Sequence, residues 1–259
     1  MKISDRMKEF YEQPTRYYLP RRTYTIIRCD GKAFHTYTKG LDRPFDDGLI
    51  NDMDETAIYL CKNIQGAKLA YVQSDEISIV ITDFDDIETC AWFDNNIQKM
   101  CSVSASLATS MFNKLRIKRD MVELFDNPAN LMDVHKTIDN TKLAEFDSRV
   151  FQIPSLSEVI NYIIFRQQDA TRNSISSVAQ TYFSHKELEG VSGDEKQEML
   201  FSKKGINWND FAPKYKRGRL IRKEKYLVNG AERNRWVSTE PPIFTEDKSV
   251  LTELIPVIN

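Results

Sequence analysis

No stretch of this 259-residue chain approaches the ~18 unbroken apolar residues of a membrane-spanning helix. The opening MKISDRMKEFYEQPTRYY is charged and aromatic and lacks the apolar core of a signal peptide, so a soluble, unexported, cytoplasmic protein is expected. Cys29, Cys61, Cys90 and Cys101 form no CxxC pair, which removes zinc knuckles and redox motifs and leaves buried, reduced thiols as the expectation. Neither GxxxxGK[ST] nor GxGxxG occurs, which argues against a P-loop NTPase and a dinucleotide-binding fold. Repeats and low-complexity tracts are missing too. Charge of one sign is not in excess: 36 Lys and Arg against 38 Asp and Glu leave a net −2, which argues against a chain that grips a polyanion over its whole surface.

What is present is enough for a core. With 41% hydrophobic and 29% charged residues, the composition fits one large domain, or one domain with an appendage. The charges are unevenly spread. Lys203 to Lys225 holds nine Lys or Arg and two acids, whereas Asp83, Asp85, Asp86, Glu88 and Asp94 form an acidic run without a base. A polyanion would therefore be held locally.

Along the chain, Thr23 to Cys29 has strand composition and meets Asp30-Gly31, a pair expected to stop regular pairing and admit a ligand close to the backbone. Leu49, Ile50, Met53, Ala57, Leu60, Cys61 and Ile64 recur at helical spacing, with Asp46 and Asp47 upstream and Gly66 beyond. Lys68–Gln73 and Ile77–Thr82 are β-rich runs joined by Ser74-Asp75-Glu76, a hairpin with two carboxylates at its tip. Ala91 to Leu115 predicts a second helix, with Phe93, Ile97, Met100, Ser104, Leu107, Ala108 and Met111 on one face. Further strand-like residues lie between Asp133 and Ile153. This order is that of an α+β, ferredoxin-like antiparallel sheet with helices on one face. Residues 1–153 would form that catalytic domain with an N-terminal arm. Residues 154–259 would form a mostly helical and loop extension packed on it, opening at the capping box Ser155-x-x-Glu158 and ending in loops and short strands from Gly205.

The topology brings Asp30, at the end of the first strand, to Asp75 and Glu76 at the hairpin tip. Alone, each dipeptide is an ordinary turn; together, on buried strands, they read as a site. Convergent carboxylates repel unless a cation lies between them, and hard oxygen ligands on an open site suit two Mg²⁺ ions completed by substrate phosphates. Downstream, Gly31-Lys32-Ala33-Phe34-His35 would turn backbone N–H groups toward a triphosphate, with Lys32 as a point charge. His35 reads equally as a nucleotide contact or a structural histidine. Lys99 reads equally as a γ-phosphate contact or a solvated helix lysine. The tail residues Lys203, Lys204, Lys214, Lys216, Arg217 and Arg219, followed by Arg222, Lys223 and Lys225, form a loop-borne patch for RNA or, alternatively, a solvated basic surface.

Arg28-Cys-Asp-Gly-Lys-Ala-Phe-His35 and Tyr71-Val-Gln-Ser-Asp-Glu-Ile-Ser-Ile-Val80 resemble the two signature segments of the tRNA-histidine guanylyltransferase-like enzymes, the RNA 3′-to-5′ polymerases. The resemblance continues through Trp92–Lys99, Ser102–Asn113, Phe146–Pro154, Arg166–Ala170 and Lys203-Lys-Gly-Ile-Asn207. It implies a polymerase palm in which Asp30, the Gly31 carbonyl and Asp75 hold two Mg²⁺ ions and Glu76 is needed for activity. The nucleoside triphosphate would lie along Asp30–His35 and against Ser74-Asp75. It also implies tRNA, ATP and GTP or another NTP as substrates, and a homotetramer. Members that add a guanylate to tRNA-histidine carry His-Ile-Asn-Asn-Leu-Tyr-Asn where this chain reads Thr171-Arg-Asn-Ser-Ile-Ser-Ser177, with Asn173 alone the same. That departure resembles the branch that repairs truncated tRNA 5′ ends by 5′-adenylylation and templated addition. The alternatives are addition of the extra guanylate to tRNA-histidine, a nucleotide cyclase, whose hairpin Gly-Gly is missing here, and a non-catalytic RNA-binding protein.

Overall fold

A computed structural model describes residues 1–125, 139 and 141–258. In chain order the elements are α1 (Ile3–Met7), β1 (Tyr24–Gly31), α2 (Phe34–Tyr37), α3 (Asp47–Asn63), β2 (Ala67–Gln73), β3 (Glu76–Ile81), α4 (Ile97–Phe125) and β4 (Phe146–Ile153). There follow α5 (Leu156–Tyr182), α6 (His185–Leu188), α7 (Gly193–Lys204), α8 (Pro213–Lys216), β5 (Arg219–Val228), β6 (Ala231–Thr239) and α9 (Ser249–Leu254). The strands form one antiparallel sheet in the order β4-β1-β3-β2-β5-β6. Its first four members are the expected split βαβ arrangement, an α+β palm-like sheet.

Local chemistry explains the helix starts. Asp46 caps α3 by accepting the Leu49 amide at 2.6 Å, and Ser155 caps α5 by accepting the Glu158 amide at 3.3 Å. On α4, Met100, Ser104, Ala108 and Phe112 are fully buried at a spacing of four, the stripe that faces the sheet. Asp52 of α3 receives Arg116 at 3.2 Å and Arg119 at 2.6 Å from α4, joining the two helices beside that core.

The sheet is covered on both sides. One core lies between it and α3 and α4, with Ile27, Cys29, Val72, Ile77, Ile79, Met100 and Phe112. The other lies under α5 and α9, with Tyr24, Ile26, Leu69, Tyr71, Val80, Val159, Ile163 and Leu251. Helices thus flank both faces rather than one, because α5 lays its apolar stripe on the side that α3 and α4 leave open. Double coverage also explains why every residue of β3 is buried, Glu76 and Ser78 included: both alternating faces are covered.

Three further expectations change. Pairing does not stop at Asp30-Gly31: Asp30 lies opposite Glu76 and Asp147, and Gly31 opposite Phe146. The second helix starts at Ile97, not Ala91, because Phe93, Asp94 and Asn95 take left-handed backbone and Asn95 and Asn96 tie to the N-terminal arm through Pro20 and Tyr18. It also runs on past Leu115 to Phe125. The strands expected of the tail are neither short nor outside the sheet, for β5 and β6, of ten and nine residues, extend it beyond β2. The strand-like reading from Asp133 falls partly on residues 126–138 and 140, outside the described residues. Among the described residues, no helix is long and apolar enough to cross a membrane.

Candidate active site

Antiparallel register sets a row of polar side chains across one end of the sheet. Asp147 of β4 opposes Asp30 of β1, Asp30 opposes Glu76 of β3, and Glu76 opposes Gln73 of β2. Opposed residues share a face, so this row points to the side that α5 covers. Ser74, with φ 48°, makes the sharp turn that carries Asp75. The Gly31 amide donates to the Asp75 carbonyl at 3.1 Å and ties the strand end to that turn. Burial pushes the Asp75 carboxyl above the ordinary range; hydrogen bonds from Ser74 and its own backbone oppose the rise, and nearby Asp30 and Glu76 add to it.

Among the described residues no three His, Cys, Asp or Glu side chains form a metal cage. A cation here would depend on Asp30, Asp75, a backbone carbonyl and substrate oxygens. The donor chemistry fits Mg²⁺: hard oxygens, few protein ligands, and accumulated negative charge that a cation would relieve.

Glu76 stands differently from the other two. Its Oε1 accepts Arg166 Nε at 2.8 Å and Ser78 Oγ at 3.1 Å, and its Oε2 accepts Arg166 Nη2 at 2.6 Å. Burial raises its pKa and Arg166 pulls it back. Both oxygens are thus occupied in a bidentate, charge-assisted pair, which makes Glu76 an anchor of the hairpin end and not a free ligand.

The Gly31–His35 segment offers less cradle than its sequence suggests. The Gly31 and Lys32 amides are taken, by Asp75 and by the Glu145 carbonyl at 2.8 Å, and those of Ala33, Phe34 and His35 have no backbone acceptor among the described residues. Lys32 pairs with exposed Glu145 at 2.5 Å. Phe34 is buried in an aromatic cluster with Tyr37, Phe112 and Phe146. A Cβ on Gly31 would overlap the Phe34 ring, so this glycine admits that ring rather than a ligand. Lys99 is exposed, its ammonium 5.7 Å from the centroid of Phe93.

Next to the turn that carries Asp75 opens a cavity of about 320 Å³, walled by His35, the 38–46 segment, Leu49, Gln73, Ser74, Asn173, Ser177, Tyr215 and Arg219; Asp30 and Asp75 themselves lie outside its wall. The volume lies at the lower end of small-ligand sites. Phe45 and Tyr215 stack in its wall at 4.7 Å and 12°. Lys99 does not line it.

The basic tail is dispersed. Lys203 and Lys204 end α7 and are exposed. Lys214 pairs with Asp47 at 2.7 Å. Lys216 is buried, donating to the Asn209 carbonyl at 2.6 Å, and Arg219 is buried against Asp54 at 2.7 Å. Arg217 is half-buried, and Arg222, Lys223 and Lys225 lie on β5. The expected loop-borne patch is therefore not one surface, because secondary structure sends alternate residues inward.

Sequence reasoning passed over Arg166, Asp169, Gln73 and the stack of Phe45 on Tyr215. The signal for the first two was a charged pair, three apart, inside an otherwise amphipathic helix, where a bare charge needs a partner.

The family description "Thg1: tRNAHis guanylyltransferase" matches residues 4–154. The tRNA(His) guanylyltransferase of Schizosaccharomyces pombe is 31% identical over 211 residues, 76% of this chain and 72% of its own length. The probable tRNA(His) guanylyltransferase of Dictyostelium discoideum is 28% identical over 226 residues, 83% of this chain and 80% of its own. Among solved structures, a bacterial tRNA(His) guanylyltransferase (Thg1)-like protein in complex with ATP is 44% identical, with TM-score 0.82 over 98% of this chain and 99% of that one. Its counterpart in complex with GTP is 43% identical, with TM-score 0.78 over 97% and 98%. Sequence and fold agree, and the chain belongs to the tRNAHis guanylyltransferase family.

Proposed function

We propose that this protein is a cytoplasmic, Mg²⁺-dependent nucleotidyltransferase that repairs truncated tRNA 5′ ends by templated addition in the 3′-to-5′ direction. The observation that carries the reading is the meeting of Asp30 and Asp75, from adjacent strand ends, beside a nucleoside-sized cavity walled by His35 and Ser74. The solved relatives with bound ATP and GTP support nucleoside triphosphates as substrates.

In the first step an oxygen of the RNA 5′-monophosphate attacks the α-phosphorus of ATP; the bond to pyrophosphate breaks and an adenylylated 5′ end forms. In the second, the 3′-hydroxyl of an incoming NTP attacks the activated 5′ phosphorus, loses its proton, and AMP departs. Both are phosphoryl displacements, in which positioning and charge neutralisation supply the catalysis. Asp30, the Gly31 carbonyl and Asp75 would hold two Mg²⁺ ions, which when bound neutralise charge on the transferring phosphoryl group. Around them, the amides of Ala33, Phe34 and His35, without backbone acceptors among the described residues, would meet triphosphate oxygens, and Glu76 holds the hairpin end rigid through Arg166. Lys203, Lys204 and Arg217 would hold RNA, joined by exposed Lys223 on β5. A homotetramer is part of the same reading, and it would cover Phe10, Tyr11, Tyr17 and Tyr18, all exposed on the N-terminal arm.

The names of the curated relatives favour a second reading, addition of one guanylate to tRNA-histidine. The Thr171–Ser177 segment opposes it. Incubation with ATP, GTP, Mg²⁺ and 5′-labelled tRNAs separates them. An adenylylated end followed by a longer product, with kcat/KM higher on truncated tRNA than on intact tRNA-histidine, is expected; the reverse ratio supports the second reading, and no labelled product of either kind removes both.

A further inference from the structure

Arg166 does more than neutralise Glu76. The Nη2 that meets Glu76 Oε2 also donates to Asp169 Oδ2 at 2.9 Å, one turn along α5. Arg172 Nη2 donates to the other oxygen, Oδ1, at 3.0 Å. Asp169 does not itself line the cavity, yet two residues that do both point amide groups at it. Gln73 Nε2 lies 3.5 Å from Asp169 Oδ2, and Asn173 Nδ2 lies 3.5 Å from the same oxygen and 3.4 Å from Gln73 Oε1.

An amide side chain can present either its oxygen or its NH₂ group by a half-turn about its last bond. A carboxylate can only accept. Asp169 therefore selects one orientation for each amide: both NH₂ groups turn to it, Gln73 Oε1 receives Asn173, and Asn173 Oδ1 has no protein partner among the described residues. The cavity wall then presents a defined acceptor instead of an interchangeable one.

We propose that Arg166 and Asp169 form a positioning unit of this site, in which Arg166, anchored on Glu76, fixes the Asp169 carboxylate that orients Gln73 and Asn173 toward the nucleotide. This rests on the nucleotide-binding reading above. Neither residue touches the reacting atoms; each acts through the cavity wall, so nucleotide affinity is the quantity that reports on it.

The test is equilibrium binding of ATP and of GTP, beside thermal melts, for wild type, Asp169→Leu, Asp169→Asn and Arg166→Lys. Asp169→Leu removes the acceptor that Arg166, Gln73 and Asn173 share, and about tenfold weaker nucleotide binding is expected. Asp169→Asn can set its one oxygen in the place of Oδ2 and turn its NH₂ group toward Arg172, which is exposed and can swing away, so it should bind within about threefold of wild type. Arg166→Lys keeps the charge beside Glu76 but cannot span both carboxylates, so it should weaken binding as Asp169→Leu does. Unchanged affinity in folded Asp169→Leu, or Asp169→Asn as weak as Asp169→Leu, overturns the positioning unit alone. A wild-type protein that binds neither ATP nor GTP overturns it together with the nucleotide reading.

Discussion

At the scale of single residues, the same composition rule sorts chemistry from support. Asp30 and Asp75 are acids at the sheet end that pair with no arginine or lysine among the described residues, whereas Glu76, their neighbour, is closed by Arg166. Asp30→Asn and Asp75→Asn should each lower both adenylylation and nucleotide addition by at least ~10²-fold, the scale of losing a charge-stabilising group. The melting temperature should hold or rise, since like-charge repulsion is relieved; wild-type rates in either variant would remove the assignment. The cysteines divide on the same physical ground. Burial pushes the Cys29 thiol up to about 12 and raises Cys61 further, while Cys90 is exposed. Because the thiolate is the nucleophile, iodoacetamide at pH 8 should label Cys90 in the native protein and reach Cys29 and Cys61 only after denaturation. Peptide mapping by mass spectrometry checks this. The carboxylates were legible in the sequence because turn residues between two β-rich runs fix where a hairpin tip must lie. The closure of Glu76 was not, since Arg166 comes 90 positions later and nothing local joins them.

Elements were legible where periodicity and caps agree, and illegible where tertiary contacts decide. Helix α3 and the β2–β3 hairpin lie close to their predicted bounds because an aspartate cap, an apolar stripe and a turn all point the same way. The first turn expected of α4 failed because contacts with the N-terminal arm outweigh helix propensity over Phe93–Asn95. The length of β5 and β6, foreseen only as short strands among loops, was hidden by their own chemistry: Arg219–Val228 is half exposed along its length, so charged residues break the apolar alternation. Asn229-Gly230, both at positive φ, was the overlooked hairpin signal. The start of β5 also sets the cavity wall. Gly218 has φ +70°, and a Cβ there would lie 2.5 Å from the Val72 carbonyl and 2.6 Å from Tyr71 Oη. Gly218→Ala should therefore cost more than ~1 kcal/mol in urea unfolding. It should weaken ATP binding as well, because β5 can relieve the clash only by moving Arg219 away from the cavity; an unchanged midpoint would mean that the backbone here is slack.

At the scale of the whole molecule, net charge hides how basic residues are used. Nine Lys or Arg between Lys203 and Lys225 read as one surface for RNA, but the fold spends several of them internally. Buried Arg219 pairs with Asp54, Lys216 is held by the Asn209 carbonyl, and Lys214 meets Asp47. Among those left exposed are Lys203 and Lys204, at the C-terminal end of α7, where the helix also ends in the left-handed Gly205. If they touch tRNA phosphates, each contact releases counterions and steepens the fall of affinity with salt. Lys203→Ala with Lys204→Ala should flatten the log–log salt dependence of tRNA binding by up to about 2 units while leaving ATP affinity unchanged. Arg219→Met should behave in the opposite way. It leaves the half-buried Asp54 with Ser238 but without its charge partner, which costs about 1–3 kcal/mol of stability, and it should not alter the salt slope of whatever fraction stays folded. Filter binding across a salt series, with melts on the same preparations, distinguishes the two. A flattened slope in Arg219→Met with an unchanged melt would mean that Arg219 reaches RNA rather than Asp54; an unchanged slope in the double lysine variant would leave the C-terminal end of α7 as a merely solvated surface.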